Sequence, residues 1–291
     1  MHSHVNYAKV PVSTALYELT RAIATAHNHY IAQTSAQDAI AIMIVQPCER
    51  NISDQRLIEF ELRASHGITI QRTTFEDLKA HGSLDENSFV YTYKGREVSV
   101  MYYRAGYTPD DYHSEQDWAT RLTMERSRSI KCPSISYHLA GTKKIQQVLA
   151  APGQVERFLP AADAERIRAV FAGLYTLDEA DGNVGDAQVA IDTALANPAN
   201  FVMKPQREGG GNNFYGAAVA EALQTMTASE RAAYILMERI RPHAARAVLL
   251  RDAQSVEGVC VSELGIFGVF LGDGNTEIMN NYAGYLLRVM C

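Results

Sequence analysis

The segment FVMKPQREGGGNNFYG, residues 201–216, decides the fold because it joins an apolar strand to a glycine-rich loop. The strand delivers Lys204 to its carboxyl end, and Glu208 stands directly before the glycines at 209–211. Glycines let backbone N–H groups approach phosphate oxygens, a lysine neutralises phosphate charge, and a carboxylate can hold a hard cation. The combination favours a polyphosphate that carries Mg²⁺, although three glycines alone are also typical of a flexible surface turn.

The composition is that of an ordinary globular protein. The chain has 291 residues, of which 47% are hydrophobic and 21% charged, with a net charge of −6. This length suits one large domain or two moderate ones, and there is no basic excess to attract nucleic acid. The apolar stretches at 39–45 and 264–272 are too short to span a bilayer, and the N-terminus lacks a secretory pattern. We therefore predict a cytoplasmic protein with no nucleic-acid or membrane partner.

Cysteine and histidine spacing gives no sign of a metal site. The four cysteines are far apart in the sequence: Cys48, Cys132, Cys260 and Cys291. No CxxC or zinc-ligand spacing occurs, so reduced thiols are expected, with Cys48 and Cys260 as small buried groups beside strands. His27 and His29 have no acidic or cysteine partner nearby in sequence, and we predict that both lie on the surface.

Helix and strand patterns alternate in the first half of the chain. The predicted elements are a helix within 11–30, a buried strand over 39–45, a helix over 54–65 and a strand over 68–75. Apolar spacing predicts that Leu57, Ile58 and Leu62 share the buried face of the second helix, and Gly67 suits its C-cap. The strand–helix–strand order predicts a parallel α/β unit.

The second half continues the mixed pattern. Two alternating runs flank Lys94–Gly95 and predict a hairpin over 89–104. The Asp- and Gly-rich stretch 176–190 is typical of a surface loop. The other predicted elements are helices over 118–127 and 216–226, a loop from Leu139 that opens a helix ending at Pro152–Gly153, and strands over 201–204, 232–240, 259–271 and 276–289. The sequence therefore predicts an α/β fold.

Seven short motifs follow one another along the chain: CERNISDQR (48–56), YYRAGY (102–107), LAGTKK (139–144), KPQREGGGNN (204–213), YILMERI (234–240), SELGIFG (262–268) and YLLR (285–288). Their order resembles the eukaryotic-type glutathione synthetase family of ATP-grasp ligases. The resemblance implies an ATP-grasp fold with a parallel α/β substrate-binding domain. It divides the chain into a helical remnant (1–39), a substrate-binding domain (40–141) and an ATP-grasp nucleotide-binding part (142–291).

The resemblance also implies the activity. Members of the family join glycine to γ-glutamylcysteine with hydrolysis of ATP, use Mg²⁺, and generally work as homodimers. ATP would phosphorylate the dipeptide carboxylate to an acyl phosphate, which the glycine amine then displaces. Catalysis of this kind depends mainly on positioning and on cations that stabilise negative charge.

Matching the family motifs residue by residue gives the expected sites. The catalytic cations are Arg104, Lys204 and Arg288. The ATP contacts are Lys143, Lys204, Glu208, Gly209, Gly210, Gly211, Asn212, Asn213, Tyr215, Met237, Glu238, Arg239, Ile240 and Glu263. The dipeptide contacts are Glu49, Arg50, Asn51, Gln55, Arg104, Ala105, Gly106, Tyr107 and Arg288. The Mg²⁺ ligand is Glu208.

Two departures from the family pattern shape the functional expectation. His4-Val5-Asn6 stands where the family has a Glu-x-Asn pair of Mg²⁺ ligands, and Met290 replaces a lysine that contacts ATP. We expect a family member shortened at both ends, with weak Mg·ATP binding and little turnover. The alternative is a non-catalytic member that keeps the fold and binds nucleotide, dipeptide or an intact subunit. A P-loop NTPase or kinase is disfavoured because GxxxxGK[ST], HRD and DFG are missing.

Ordinary structural roles compete with several of these assignments. Asn51 and Asp54 are both good helix N-caps, and Arg104 could belong to a simple turn after a hairpin. Neighbouring lysines such as Lys143 and Lys144 usually form a solvated pair. For Glu238 and Glu263, which both lie in predicted strands, the sequence leaves open whether the carboxylate faces solvent or a cleft.

Overall fold

The computed structural model describes residues 11–179, 184–206 and 212–290. The chain divides into two units, one built from residues 1–134 with 242–291 and the other from residues 135–241. These boundaries differ from the predicted breaks after residues 39 and 141, because the segment from 242 onward groups with the N-terminal part. The assignment of substrate-binding and nucleotide-binding roles to 40–141 and 142–291 stays a prediction.

The first unit contains a mixed six-stranded sheet and a separate three-stranded sheet. Its elements in chain order are α1 (Ala15–Thr34), β1 (Ile40–Ile44), α2 (Ile52–His66), β2 (Ile70–Thr73), α3 (Phe75–His81), β3 (Gly82–Leu84), β4 (Tyr91–Tyr93), β5 (Arg96–Tyr103), α4 (Glu115–Arg126), β6 (Ile130–Cys132), β11 (Ala244–Arg251), β12 (Gln254–Gly272) and β13 (Glu277–Met290). In the larger sheet the strand order is β2-β1-β5-β4-β3, with β6 also paired to β5.

Strand β1 lies in the parallel part of this sheet and is covered on both faces. Every residue of β1 is buried, and β1 pairs in parallel with β2 and with β5. Side chains alternate between faces, so Ile42 packs with Phe75 and Met124 of α3 and α4, whereas Met43 packs with Leu62 of α2 on the other face. The predicted α/β class with a parallel strand–helix–strand unit is confirmed.

The predicted buried face of α2 is correct at two of its three positions. Ile58 and Leu62 are buried, but Leu57 is 53% exposed. Successive helix residues are rotated by about 100°, so Leu57 points away from the stripe that includes Ile58. Gly67 ends the helix in the left-handed region at φ 68°, as predicted for its C-cap.

The turn between β4 and β5 is also as predicted. Lys94 and Gly95 have φ values of 51° and 76°, and the two strands pair antiparallel. Two consecutive positive φ values are typical of the tight turns that connect hairpin strands.

Strand β2 ends earlier than predicted, because the Thr74 hydroxyl accepts a hydrogen bond from the N–H of Asp77 and starts α3.

Three side-chain predictions in this unit were wrong. Cys48 is exposed, because it lies in the connection after β1 and not in the strand. Cys260 is buried as predicted, but it is disulfide-bonded and not a reduced thiol. His27 is buried between α1 and the sheet, where its Nδ1 lies 2.6 Å from Ser99 Oγ. Ser99 donates its own hydroxyl proton to the carbonyl of Ile40, so Nδ1 of His27 is the donor.

The buried His27 gives a testable pH dependence. Burial lowers its pKa in the folded protein, whereas the pKa in the unfolded chain is about 6.5. Folding therefore disfavours the protonated ring, so this contribution to stability is complete above about pH 6.5 and is lost as the pH falls towards the folded-state pKa. We expect the urea midpoint of unfolding to be lower at pH 5.5 than at pH 7.5. A His27→Gln variant should show a smaller difference between the two pH values, and an unchanged difference would contradict the assignment.

The three-stranded sheet of the first unit is formed by β11, β12 and β13 in antiparallel order. The predicted strands over 259–271 and 276–289 are confirmed as β12 and β13, and β11 was not predicted. The start of α1 lies close to this sheet at Gly284, whose φ is 95° and whose added Cβ would lie 2.6 Å from the Ala15 nitrogen. A residue with a side chain would therefore clash with the helix start at this position.

The second unit is built on an antiparallel sheet with the order β7-β10-β8-β9. Its elements are α5 (Ile135–Ala140), α6 (Lys143–Ala150), α7 (Ala161–Arg168), β7 (Leu174–Thr176), α8 (Val184–Ala196), β8 (Phe201–Pro205), β9 (Phe214–Tyr215), α9 (Ala217–Thr225), α10 (Ala228–Arg231) and β10 (Tyr234–Glu238). Met203 and Leu236 of the sheet pack with Ile191 and Leu223 of α8 and α9.

The surface loop predicted over 176–190 is wrong from residue 184, where α8 begins. Ala187, Ala190, Ile191 and Ala194 are buried, which is the i, i+3, i+4, i+7 spacing of a helix that packs on a core. The Asp and Gly composition of the preceding residues hid this pattern. Across the described ranges, no helix combines the length and the apolar character that crossing a bilayer requires.

Candidate functional site

In the second unit the structure brings two predicted ATP-binding lysines together. Lys204 lies on β8 with a half-buried side chain, and Lys143 is the first residue of α6. Burial lowers the pKa of Lys204, and the positive charge of Lys143 lowers it further. Within residues 135–179, 184–206 and 212–241, neither lysine forms an ion pair with a described carboxylate. Two cations that repel one another and have no described counter-ion form a site that favours an anion.

The start of α6 adds backbone donors to the same neighbourhood. Thr142 is the N-cap of α6 but makes no side-chain capping bond. Gln206 takes this role, because its Oε1 accepts a hydrogen bond of 3.0 Å from the N–H of Lys144. The N–H of Gln206 donates to the carbonyl of Ala233 at 3.2 Å, which fixes the end of β8. The positive end of a helix thus lies at the end of the strand that carries Lys204.

Gln206 was not among the predicted site residues, although it stands two positions after Lys204 in the decisive segment. Lys144 was expected to form a solvated pair with Lys143, but its Nζ donates to Thr176 Oγ1 at 3.5 Å. The two neighbouring lysines therefore have different roles. Only Lys143 is close enough to affect the pKa of Lys204.

The glycine-rich loop is described only in part. Glu208, Gly209, Gly210 and Gly211 lie outside the described residues. Beyond them, Asn213 donates through Nδ2 to the Tyr215 hydroxyl at 3.1 Å, and Tyr215 pairs with Val202 as part of β9. Asn212 is exposed. The loop therefore returns to the sheet beside the strand that carries Lys204.

Strand β10 carries the predicted nucleotide contacts Met237 and Glu238, and Arg239 and Ile240 follow its last residue. Met237 is half-buried opposite Val202, and Ile240 is 63% exposed. The carboxylate of Glu238 accepts hydrogen bonds from the Gly173 N–H at 3.0 Å and the Tyr175 hydroxyl at 3.2 Å.

These hydrogen bonds identify the groups that hold the Glu238 carboxylate. Burial, followed by the nearby Glu238 charge, raises the pKa of Tyr175, and the carboxylate is held by β7 and the residue that precedes it. The N–H of the next residue, Arg239, donates to the carbonyl of Asn200 at 2.7 Å. A direct contact between the Glu238 side chain and nucleotide stays a prediction.

In the first unit, Arg104 follows β5 at the carboxyl edge of the parallel strands. Its N–H donates to the carbonyl of Ile44 at 2.8 Å, and its Nη2 donates to Asp54 Oδ2 of α2 at 2.7 Å. Its Nε is buried and has no hydrogen-bond partner among the described residues. Ligands of open α/β sheets bind at this edge, so the free N–H of Arg104 is well placed for an anionic ligand.

The predicted dipeptide contacts at the start of α2 occupy the same edge of the sheet. Asn51 is at the N-cap position of α2 but makes no side-chain capping bond, and its N–H donates to Glu49 Oε1 at 2.9 Å. Asp54 is the third residue of α2, and its Oδ1 accepts a hydrogen bond of 3.0 Å from the N–H of Gln55 while its Oδ2 pairs with Arg104. Arg50 is exposed. These residues therefore start α2, but the Asn51 side chain does not cap it and Asp54 has a second partner in Arg104.

Gln55 is fully buried, and one end of its amide is engaged. Its Oε1 accepts from Arg72 Nε of β2 at 2.8 Å, while Nε2 has no partner in the described part of the chain. A buried amide N–H without a partner costs free energy, which a ligand oxygen would recover. Arg72 was not predicted, because its strand gave only an alternating pattern and no motif.

The last predicted contacts are paired with one another on β12 and β13. Glu263 and Arg288 stand directly opposite in the register, and Arg288 Nη1 lies 3.7 Å from Glu263 Oε1. Both side chains are more than half exposed, so this ion pair contributes little to stability. The sequence assigned the two residues to different ligands, and their pairing across strands appears only in the structure.

The described residues do not by themselves form a metal centre. They include no cluster of three or more His, Cys, Asp or Glu side chains that could hold a metal ion. The predicted ligand Glu208 lies outside them. A Mg²⁺ ion usually needs only one or two carboxylates besides phosphate and water.

Comparison with known proteins places the chain in a family. A family model described as "Eukaryotic glutathione synthase, ATP binding domain" matches residues 1–290. Proteins named glutathione synthetase are 44% identical over 284 residues in Solanum lycopersicum (chloroplastic) and 49% identical over 255 residues in Homo sapiens. The alignments cover 96% and 86% of this chain but 50% and 52% of those proteins. The chain thus spans about half the length of the curated relatives it matches.

Solved structures agree on the fold. A glutathione synthetase-like effector from Globodera pallida, solved in its apo form, superposes with a TM-score of 0.74 at 21% identity, over 96% of this chain and 60% of that chain. Together with the match to the ATP-binding domain, this confirms the predicted ATP-grasp fold. The chain belongs to the eukaryotic glutathione synthase family.

Proposed function

We propose that this chain supplies the ATP-binding and dipeptide-binding parts of a ligase that joins γ-glutamylcysteine and glycine into glutathione. The observation that carries the proposal is the Lys143–Lys204 pair. In the folded chain the positive charges of these two ammonium groups repel each other, and a bound triphosphate would neutralise both. Mg²⁺ would accompany the ATP and screen further phosphate charge.

The dipeptide would bind at the carboxyl edge of the parallel sheet. γ-Glutamylcysteine carries two carboxylates and one ammonium group. The free N–H of Arg104 and the buried amide of Gln55 are donors for a carboxylate, and Glu49 is an acceptor for the ammonium. Arg288 and Glu263 stay candidates for substrate and nucleotide contact, respectively. In the proposed reaction ATP phosphorylates the dipeptide carboxylate, and the glycine amine then displaces phosphate to form the amide bond.

The second candidate is a binding protein of the same family without catalysis. The observation that favours it lies in the sequence, where His4 stands in place of the carboxylate of the family's Glu-x-Asn pair. Assembly as a homodimer and a cytoplasmic location belong to the proposal and not to the findings. Two relatives are named chloroplastic, in Solanum lycopersicum and Arabidopsis thaliana.

Calorimetric titration and a coupled assay of ADP release separate the two candidates. We expect Mg·ATP and γ-glutamylcysteine each to bind, and ADP release to be slow and to require both the dipeptide and glycine. Binding of both ligands with no release would favour the non-catalytic candidate. If neither ATP nor the dipeptide bound at millimolar concentration, the ligase would be wrong, and so would a binding protein for either of these ligands.

A further inference from the structure

The carboxylate of Asp111 accepts hydrogen bonds from the backbone of the loop Arg104–Tyr107, which is the loop predicted to bind the dipeptide. Its Oδ2 accepts hydrogen bonds from the N–H groups of Gly106, Tyr107 and Thr108, at 2.9, 3.2 and 3.4 Å. Its Oδ1 accepts from Gln46 Nε2 at 3.0 Å, which ties the loop to the segment after β1. Three successive N–H groups that point at one anion form a concave turn, which the carboxylate holds in shape.

The backbone at Gly106 needs such support. Gly106 has φ 84°, and a Cβ added there would lie 2.9 Å from the Phe75 ring and 2.9 Å from the Tyr112 hydroxyl. The Tyr112 hydroxyl donates to the carbonyl of Gly106 at 2.9 Å. The loop that follows Arg104 is therefore fixed from two sides, by the carboxylate on its N–H groups and by the phenol on its carbonyl.

A tryptophan stacks on the tyrosine that contacts this loop. Trp118 of α4 stacks on Tyr112 with ring centroids 3.9 Å apart and an interplanar angle of 13°. It is the one tryptophan of the whole sequence. Its fluorescence therefore reports on the ring that holds Gly106, without any added label.

We propose that Asp111 is a positioning residue that holds the Arg104–Tyr107 loop in the conformation that binds a small peptide carboxylate. This inference rests on the proposed function, because it assumes that the loop binds γ-glutamylcysteine. Asp111 touches the loop backbone and not the ligand. Without its carboxylate, the three N–H groups lose their common acceptor, and the free loop populates conformations that cannot bind.

The matching substitution is Asp111→Asn, which keeps the shape but removes the charge and one acceptor oxygen. We expect the Kd for γ-glutamylcysteine, measured by Trp118 fluorescence and by calorimetry, to rise about 10-fold, because charge-assisted hydrogen bonds are roughly twice as strong as neutral ones. The Kd for Mg·ATP should stay within twofold. The control is Glu115→Gln, which removes a charge from an exposed position on α4, and it should change neither constant.

The outcomes separate this inference from the proposed function. If the unmodified chain binds no γ-glutamylcysteine by either method, the proposed function fails and the inference fails with it. If the unmodified chain binds and Asp111→Asn binds equally well, only the inference is overturned. Should Asp111→Asn not fold, Gln46→Met is measured in its place, since it removes the bond of 3.0 Å to Asp111 Oδ1 together with a longer one of 3.5 Å to the Tyr107 hydroxyl. A rise of about 3-fold in the dipeptide Kd then supports the inference, and no change overturns it.

Discussion

Replacing Lys204 with methionine is expected to weaken Mg·ATP binding by roughly 10- to 100-fold, which corresponds to the loss of one hydrogen bond from a charged group. The same variant should be at least as stable as the unmodified chain. Burial and the charge of Lys143 lower the pKa of Lys204, so the fold disfavours the charged form of this side chain. Replacing the lysine therefore removes an unfavourable contribution to the free energy of folding, and it also removes a group that would bind phosphate.

Thermal unfolding and ATP titration of the same preparation test both halves of this prediction. The matched control is Arg166→Met, which removes a cation from an exposed ion pair with Asp163 in the same unit. That variant should bind ATP normally. An ATP affinity for Lys204→Met within twofold of that of the unmodified chain would refute the phosphate contact, and a clearly lower melting temperature would refute the predicted effect on stability.

Arg104→Lys is expected to cost about 10- to 100-fold in the affinity for γ-glutamylcysteine, with little change in the affinity for ATP. Lysine keeps the charge and can still meet Asp54. It cannot reproduce the planar fork, in which one N–H pairs with Asp54 at 2.7 Å while the buried Nε–H points elsewhere without a described partner. Burial raises the pKa of neighbouring Tyr102, and the charge of Arg104 opposes that rise, so Arg104 lies close to this buried phenol.

The control for this variant is Arg56→Lys on α2, where the guanidinium pairs with Glu59 at 2.5 Å on an exposed face. It tests whether any arginine-to-lysine change near this edge weakens binding. The Arg104–Asp54 pair is itself partly exposed, so its loss should change stability by no more than about 1 kcal/mol. Equal dipeptide affinities for Arg104→Lys and Arg56→Lys would refute a direct role for Arg104.

Local sequence patterns predicted those parts of the fold that depend on local chemistry. The continuous apolar run of β1 required burial on both faces, and Lys94–Gly95 allowed the positive φ values of a hairpin turn. Composition misled where it outweighed periodicity, as in α8, whose buried alanines follow a stretch rich in Asp and Gly. Leu57 was misplaced because neighbouring helix residues of similar type were assigned to one face.

For the candidate sites too, the sequence predicted the residues but not their partners. Motif order identified Lys143, Lys204 and Arg104, because the family resemblance depends on residue types at fixed positions. The partners of these residues could not be predicted in the same way. Asp54 resembled a helix cap, and Gln206 and Arg72 carried no signal, since their contacts join segments that are distant along the chain. Glu238 is an acidic residue in a strand by sequence, and only its bonds to Gly173 and Tyr175 showed that β7 holds it.

The sequence by itself determined the α/β class, the family and which charged residues are candidates for ATP and dipeptide. These properties follow from residue type, spacing and order, which local propensity and motif chemistry express directly. Only the tertiary structure decided that segment 242–291 belongs to the first unit and that the charge of Lys143 lowers the pKa of Lys204. It also decided that Asp111 accepts hydrogen bonds from the loop after Arg104. Burial, charge interaction and hydrogen bonding depend on distance in space, and the folded chain brings together groups that are far apart in the sequence.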